Sequence, residues 1–354
     1  MQRSARTHDT NRRTGTAAAL LWVACTACAA NVADADSSVP EDHAAAAHRD
    51  AAKAAAGTLW ENAYGYLCGA APHRPNQVTD EAIEPQWIFD DVAVLGDRGT
   101  VIYAIKTAAG VLLIDSGYST RVESLLLPSL AKLGIDPATV KYVLITHGHP
   151  DHFGGALYLQ QHYGARVVAS ATDWQLMAGA PSWLPPKVEP WMVAPGPARD
   201  VVGDVVVADG DEIVLGKLHV RAYLVPGHTP GALGFVFPVK DRGDIRMAAL
   251  FGGLILSGGR ISDDGLRQYI DSLAHFAEVT HRARVEVELE NHTLFDDTWT
   301  KAAALAARKP GDPNPFVVGD RDYQAFLRVL SECTGAELDQ RMSRADPPAQ
   351  TKAN

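Results

Sequence analysis

The chain has 354 residues and a formal net charge of −10, with 32 Lys and Arg against 42 Asp and Glu. That length is ample for one large core. An acidic chain with no basic patch argues against nucleic acid as a partner and leaves small molecules as the expected substrates.

Residues 1–30 read as a signal peptide outside the fold. Arg3, Arg6, Arg12 and Arg13 precede the apolar run 16–30, and Ala27, Ala29 and Ala30 offer small-residue cleavage sites. The run is too short and too Ala-rich for a membrane span, so no stable span is expected once it is removed. Arg12-Arg13 is a weak twin-arginine match, and Cys25 or Cys28 is an alternative lipoprotein anchor. Removal takes away four arginines and one aspartate, which leaves the remainder more acidic still. The expected location is periplasmic or secreted. Cys68 and Cys333 then remain as an even pair, expected to form a disulfide in an oxidising compartment.

Residues 31–85 form an N-terminal extension. Ser38-x-x-Glu41 is a capping box that opens an Ala-rich surface helix reaching to Gly57. From 86 to 340 the pattern is mixed α/β, the main domain of the chain. Strands are expected at 92–95, 101–106 and 111–115, and a helix at 120–133 with a kink at Pro128. A strand at 140–146 runs into a His-rich turn, and a helix begins near Ala156. Further strands are expected at 166–169, 205–208, 218–225, 233–238, 247–251 and 285–289. Helices are expected at 263–282, 296–308 and 320–340, before a disordered polar tail at 341–354. Segment 181–200 carries six prolines with Trp183 and Trp191. It reads either as a wall of a substrate cleft or as a loop pinned to the body by its tryptophans.

The densest chemistry is Thr146-His147-Gly148-His149-Pro150-Asp151-His152. His147 and His149 stand two apart, so in extended chain they point the same way. Pro150 stiffens the turn from which Asp151 and His152 project. The spacing favours one metal on the two early histidines and a second on Asp151 and His152. Each ion needs a further ligand, and His228 and His292 both follow strand-like runs, where loops gather functional groups. Zinc suits imidazole and carboxylate donors, and two such ions make a nucleophile available at neutral pH. The other histidines have no ligand spacing.

The sequences THGHPDH, GHTPG and NHT resemble the metallo-β-lactamase superfamily, over roughly residues 92–306. The resemblance implies an α/β fold, an αββα sandwich with two zinc ions at one edge. It implies His147, His149 and His228 on the first ion, and Asp151, His152 and His292 on the second. Asp115, at the end of a strand, would hydrogen-bond behind the ligands, with a turn-forming role before Gly117 as the alternative. The first ion would stabilise the oxyanion, while the second, with Asp151, would orient the attacking hydroxide.

Many relatives place a bridging Asp after the strand at 247–251, and one subclass of β-lactamases has Cys there; here Gly252-Gly253-Leu254 follow. The pattern is most similar to the subclass with His/His/His and Asp/His/His sites, which usually has Ser where Leu254 stands. Ser257 or Arg260 would then hold a substrate carboxylate, unless they are ordinary loop polarity. The implied activity is zinc-dependent opening of β-lactam amides. The alternative is hydrolysis of a lactone, ester or thioester.

Overall fold

Apolar side chains occupy both alternating faces of the central strands, and this sets the layering. In β3 (Val101–Thr107), Tyr103 and Ile105 enter one core while Ile102 and Ala104 enter another. A strand covered on both faces reads as a continuous apolar run, as this one does. The computed structural model describes residues 43–69, 81–179, 205–256 and 261–345.

One sheet has seven strands in chain order: β1 (Gln86–Trp87), β2 (Val92–Gly96), β3, β4 (Gly110–Ile114), β5 (Val140–Leu144), β6 (Arg166–Ser170) and β7 (Val205–Val207). Its first four strands are antiparallel, and β4 to β7 are parallel. The other sheet contains β8 (Glu212–Leu215), β9 (Leu218–Leu224), β10 (Leu233–Asp241), β11 (Asp244–Leu250) and β12 (Val285–Leu289). Its order is β12-β11-β10-β9-β8, with only β11 and β12 parallel.

The core between the sheets joins Val94, Tyr103, Ile114 and Val168 to Val220, Phe235, Phe237 and Leu250. Outside the first sheet pack α3 (Leu127–Lys132), α5 (Ala156–Tyr163) and α6 (Ala171–Met177). Outside the second pack α1 (His43–Ala56), α2 (Glu61–Leu67), α7 (Asp263–Ala283) and α10 (Asp320–Ala345). This is the αββα sandwich that the resemblance implied. Among the described residues there are also three short helices, α4 (Pro150–Phe153), α8 (Thr293–Asp296) and α9 (Thr298–Ala306). Among the described residues, no helix is long and apolar enough to cross a membrane.

Several local expectations need correction. The helix expected at 120–133 is three pieces: a tight turn at Ser119–Arg121, a wide turn at Val122–Leu126, and then α3. Pro128 has no N–H and its ring crowds the carbonyl four residues back, so the preceding turn widens. The Leu127 N–H accordingly reaches the carbonyl of Val122. The helix expected at 296–308 is α9, and the separate turn α8 precedes it; Asp297, at φ +55°, parts the two.

The Ala-rich helix α1 is not a free surface helix, because Ala45, Ala52 and Ala56 are buried. It lies against α10, where Gly335 leaves room for the ring of His48. Helix α10 runs to Ala345, into the tail expected to be disordered, and Arg341 there pairs with Glu337 at 2.8 Å. Elements α2, α6, β1 and β8 were not anticipated. Cys68 and Cys333 form a disulfide, with Cα atoms 4.8 Å apart and a sequence separation of 265. It ties the end of α2 to α10.

Candidate metal centre

Strand ends from both sheets converge at one edge. β5 delivers Thr146 and His147, β9 leads to His228, β12 leads to His292, and β4 ends at Asp115. Backbone bonds lock these ends together: Leu233 N–H donates to Thr146 O at 2.7 Å, and Val101 N–H donates to Asn291 O at 2.9 Å.

His147, His149 and His228 form one cluster of potential ligand atoms, all within 4.8 Å of one another. His228 Nε2 lies 3.1 Å from His147 Nε2 and 3.0 Å from His149 Nδ1. Tetrahedral zinc with bonds of roughly 2.0–2.1 Å sets its nitrogens roughly 3.3 Å apart, so this triad fits one ion. Burial first, and then the neighbouring imidazoles, hold His147 and His228 well below the usual imidazole range. They are therefore neutral, as a metal ligand must be.

Asp151, His152 and His292 form the second cluster within the same span. His152 Nε2 lies 3.2 Å from His292 Nε2 and 3.2 Å from Asp151 Oδ2. The rings of His147 and His152 are 3.9 Å apart, so the two triads adjoin. Burial opposes a charge on His152, but Asp151 and Asp115 outweigh it and raise the imidazole to about 10. Burial and the charge on His152 lower His292 to about 4, against the pull of Asp151. Burial also opposes ionisation of Asp151, but the surrounding imidazoles, His152 foremost, hold its carboxyl far below the usual range. Asp151 comes from the single helical turn α4, where an open turn was expected; Pro150 occupies its first position.

A family model for the metallo-beta-lactamase superfamily matches residues 95–242. The subclass B3 metallo-beta-lactamase BJP-1 of Bradyrhizobium japonicum has a similar structure, with TM-score 0.61 and 26% identity, covering 77% of this chain and 97% of that one. The native FEZ-1 metallo-beta-lactamase of Legionella gormanii shares the fold at TM-score 0.62 and 22% identity, over 76% of this chain and 99% of that one.

Residues 95–242 of this chain thus match the metallo-β-lactamase superfamily.

Its sequence relatives include hydroxyacylglutathione hydrolases. That of Rhodopseudomonas palustris is 28% identical over 63% of this chain and 81% of its own length. That of Cereibacter sphaeroides is 28% identical over 57% and 74%. The protein is accordingly a metallo-hydrolase, and its His/Asp clusters mark it as metal-binding.

As in other metal sites, partners behind the ligands fix which ring nitrogen is free. His152 Nδ1 lies 2.7 Å from Asp115 Oδ2, and His292 Nδ1 lies 2.5 Å from Gly99 O. Both rings therefore present Nε2 to the site. Asp115 is fully buried at φ +62° and accepts bonds from Thr146 N, Thr146 Oγ1 and Asn291 Nδ2.

Asp173 was not foreseen. It is buried, and its Oδ2 accepts from Gly148 N and Thr229 Oγ1, both at 2.7 Å. Its Oδ1 accepts from Gly231 N at 2.9 Å. One carboxylate thus joins the turn of His147 and His149 to the turn of His228. The signal available in sequence was Ser170-x-x-Asp173, a helix-start pattern that the structure bears out with Ser170 Oγ accepting from Asp173 N. Thr100 was also missed; its Oγ1 lies 3.3 Å from Asp151 Oδ2.

In the stretch after β11, a Cβ on Gly252 would stand 2.4 Å from Leu233 O and 3.0 Å from Thr146 Cβ, so that position has no space for a side chain. On Gly253, at φ +85°, a Cβ would stand 2.6 Å from His228 Cβ. Leu254 is fully buried in the core beneath α7 and α10. Trp183, Trp191, Ser257 and Arg260 lie outside the described residues.

Proposed function

We propose that this chain is a zinc hydrolase that takes one ion in each triad and opens β-lactam amides. The observation that carries the reading is the donor set: no Asp, Glu or Cys stands at 252–254, and the clusters comprise three imidazoles on one side and Asp151, His152 and His292 on the other. That is the ligand pattern of the β-lactamase subclass which the sequence resembles, and the likeness to the B3 enzyme BJP-1 supports it. An imidazole-rich set with a single carboxylate suits zinc.

Bound zinc would supply Lewis acidity and a lowered pKa for a coordinated water. The chain's own residues supply the rest. His147, His149 and His228 bring no negative charge, so they leave a cation at the first triad strongly electrophilic. Asp151, ionised and 17% exposed at its side chain, faces the site as an acceptor that can orient the attacking water. Thr100 Oγ1 donates to its Oδ2 and fixes the carboxylate's rotation.

A second reading is thioester hydrolysis, which the hydroxyacylglutathione hydrolases among the relatives favour. Steady-state hydrolysis of a chromogenic β-lactam and of a hydroxyacylglutathione, by the same zinc-loaded protein, separates the two. Preferential turnover of the β-lactam, lost in His149→Ala, supports the first reading. Preferential turnover of the thioester replaces it with the second.

We also infer export to the periplasm or medium, with residues 1–30 removed as a signal and the hydrolase domain beginning near residue 86. The Cys68–Cys333 disulfide supports this, since such bonds persist in oxidising compartments. Fractionation of cells expressing the full chain, with mass measurement of the processed N-terminus, tests it.

A further inference from the structure

Beneath the turn that carries His292 lies an ion cluster outside both triads. Lys301, on α9, places Nζ 2.7 Å from Glu288 Oε2 and 3.0 Å from Asp296 Oδ2. Both carboxylate side chains are wholly buried, and the lysine side chain is 9% exposed. Glu288 belongs to β12, just before the turn, and Asp296 ends α8, just after it. Asn291 and His292 lie between them. One ammonium therefore grips both ends of the segment that presents a ligand to the second triad.

The surrounding contacts hold this grip in place. Asp296 Oδ1 accepts from Thr298 N at 3.0 Å and from Thr298 Oγ1 at 2.6 Å. Lys301 Nζ lies 5.4 Å from the Trp60 ring and 5.5 Å from the Phe316 ring. The Trp60 indole donates to Asp322 O at 2.8 Å, which anchors it to α10. The far side of the turn is held independently, by Gly99 O on His292 Nδ1 and by Arg98 O on Thr293 Oγ1.

Stability alone is a weak reason for such a cluster. Taking an ammonium and its carboxyl partners out of water offsets much of what their pairing gains, and apolar replacements of similar volume are often no less stable. What the cluster does supply is a fixed separation between two points flanking a metal ligand. Groups that orient ligands from behind typically change metal affinity by about 10–100-fold when lost.

We propose that Lys301 is a positioning residue for the second triad. Its paired contacts to Glu288 and Asp296 hold the turn closed at its base, so that His292 Nε2 meets Asp151 and His152 without rearrangement. The inference rests on the reading that the Asp151–His152–His292 triad takes an ion. It goes beyond that reading in assigning the triad's preorganisation to a buried ammonium.

The test is a Co²⁺ titration of metal-free protein against a chromophoric competing chelator, which resolves the first and second equivalents. His149→Ala, which leaves only the second triad complete, assigns them. Lys301→Met removes the grip but leaves two carboxylates buried without their cation. A triple variant, Lys301→Met with Glu288→Gln and Asp296→Asn, removes the charges together and keeps the packing. Both variants should weaken the second equivalent by about tenfold or more and leave the first within about twofold, with Lys301→Arg intermediate.

Equal affinities in wild type and variants would overturn the proposal. So would a parallel loss at both triads, or a triple variant that unfolds in the titration buffer, because either marks a purely structural role. A wild type that takes up one equivalent would overturn the two-ion reading and the proposal with it. A wild type with two equivalents, and variants unchanged, would overturn the proposal alone.

Discussion

Asp115 Oδ2 and His152 Nδ1 stand 2.7 Å apart, with both side chains wholly withdrawn from solvent. The same carboxylate accepts from Thr146 N, the residue that precedes His147. Asp115 thus touches the backbone of one triad and a ligand of the other. Asp115→Asn keeps the shape but removes the charge and turns one acceptor into a donor. The expected result is a loss of about 10–100-fold in affinity at the second triad, with a smaller loss at the first. Competitive metal titration of the variant measures both.

Gly252 makes a sharper prediction about packing. A methyl group there would press on Leu233 O and Thr146 at the junction of the two sheets. Gly252→Ala should cost about 1–3 kcal/mol of stability, as overpacking usually does. Gly252→Asp should cost more. Thermal or urea unfolding of the metal-free variants reads the cost. A Gly252→Asp protein as stable as wild type would contradict this crowding.

The metal ligands were legible because their chemistry is concentrated: three imidazoles and a carboxylate within six residues leave few other readings. His228 and His292 were legible because each closes a strand-like run. The residues that hold these ligands were not. Gly99 meets His292 across 193 positions of sequence, and Asp173 meets Gly231 across 58. Lys301 carries no motif, and its role exists only because α9 folds back under β12. Strands β1 and β8 are too short to show an alternation, and α1 read as surface because alanine on a buried face looks like alanine anywhere.

Asp241, near the tip of the β10–β11 hairpin, accepts from Arg308 Nη1 at 2.6 Å and from Nη2 at 2.8 Å. The Arg308 bonds outweigh partial burial and depress the carboxyl below its usual value. A depressed carboxylate contributes stability that is present above its unfolded pKa and lost as pH falls through the folded one. Asp241→Asn should therefore cost about 1.5–3 kcal/mol at neutral pH. The difference from wild type should shrink as pH falls below about 4. Urea unfolding across that range checks the sign; a difference that grows on acidification would contradict it.

The Cys68–Cys333 bond closes a loop of 265 residues. In the chain-entropy model a loop this long contributes up to about 5 kcal/mol, and strained or structured reference states reduce that. Since α2 packs on α8 through Tyr66 and Phe295, rings 5.1 Å apart, the bond also backs the His292 segment. Reduction, or Cys68→Ser, should lower the unfolding temperature measurably while leaving the three-histidine cluster able to bind its ion. Differential scanning fluorimetry with and without reductant, on metal-free and metal-loaded protein, tests both halves.

The central claim is that two adjoining triads hold two zinc ions. Native mass spectrometry of the zinc-loaded mature protein tests it most directly. The account predicts a mass increment of two zinc ions per chain, and of one for either His149→Ala or His292→Ala. A wild-type chain that carries a single ion, or a His292→Ala chain that still carries two, would contradict it.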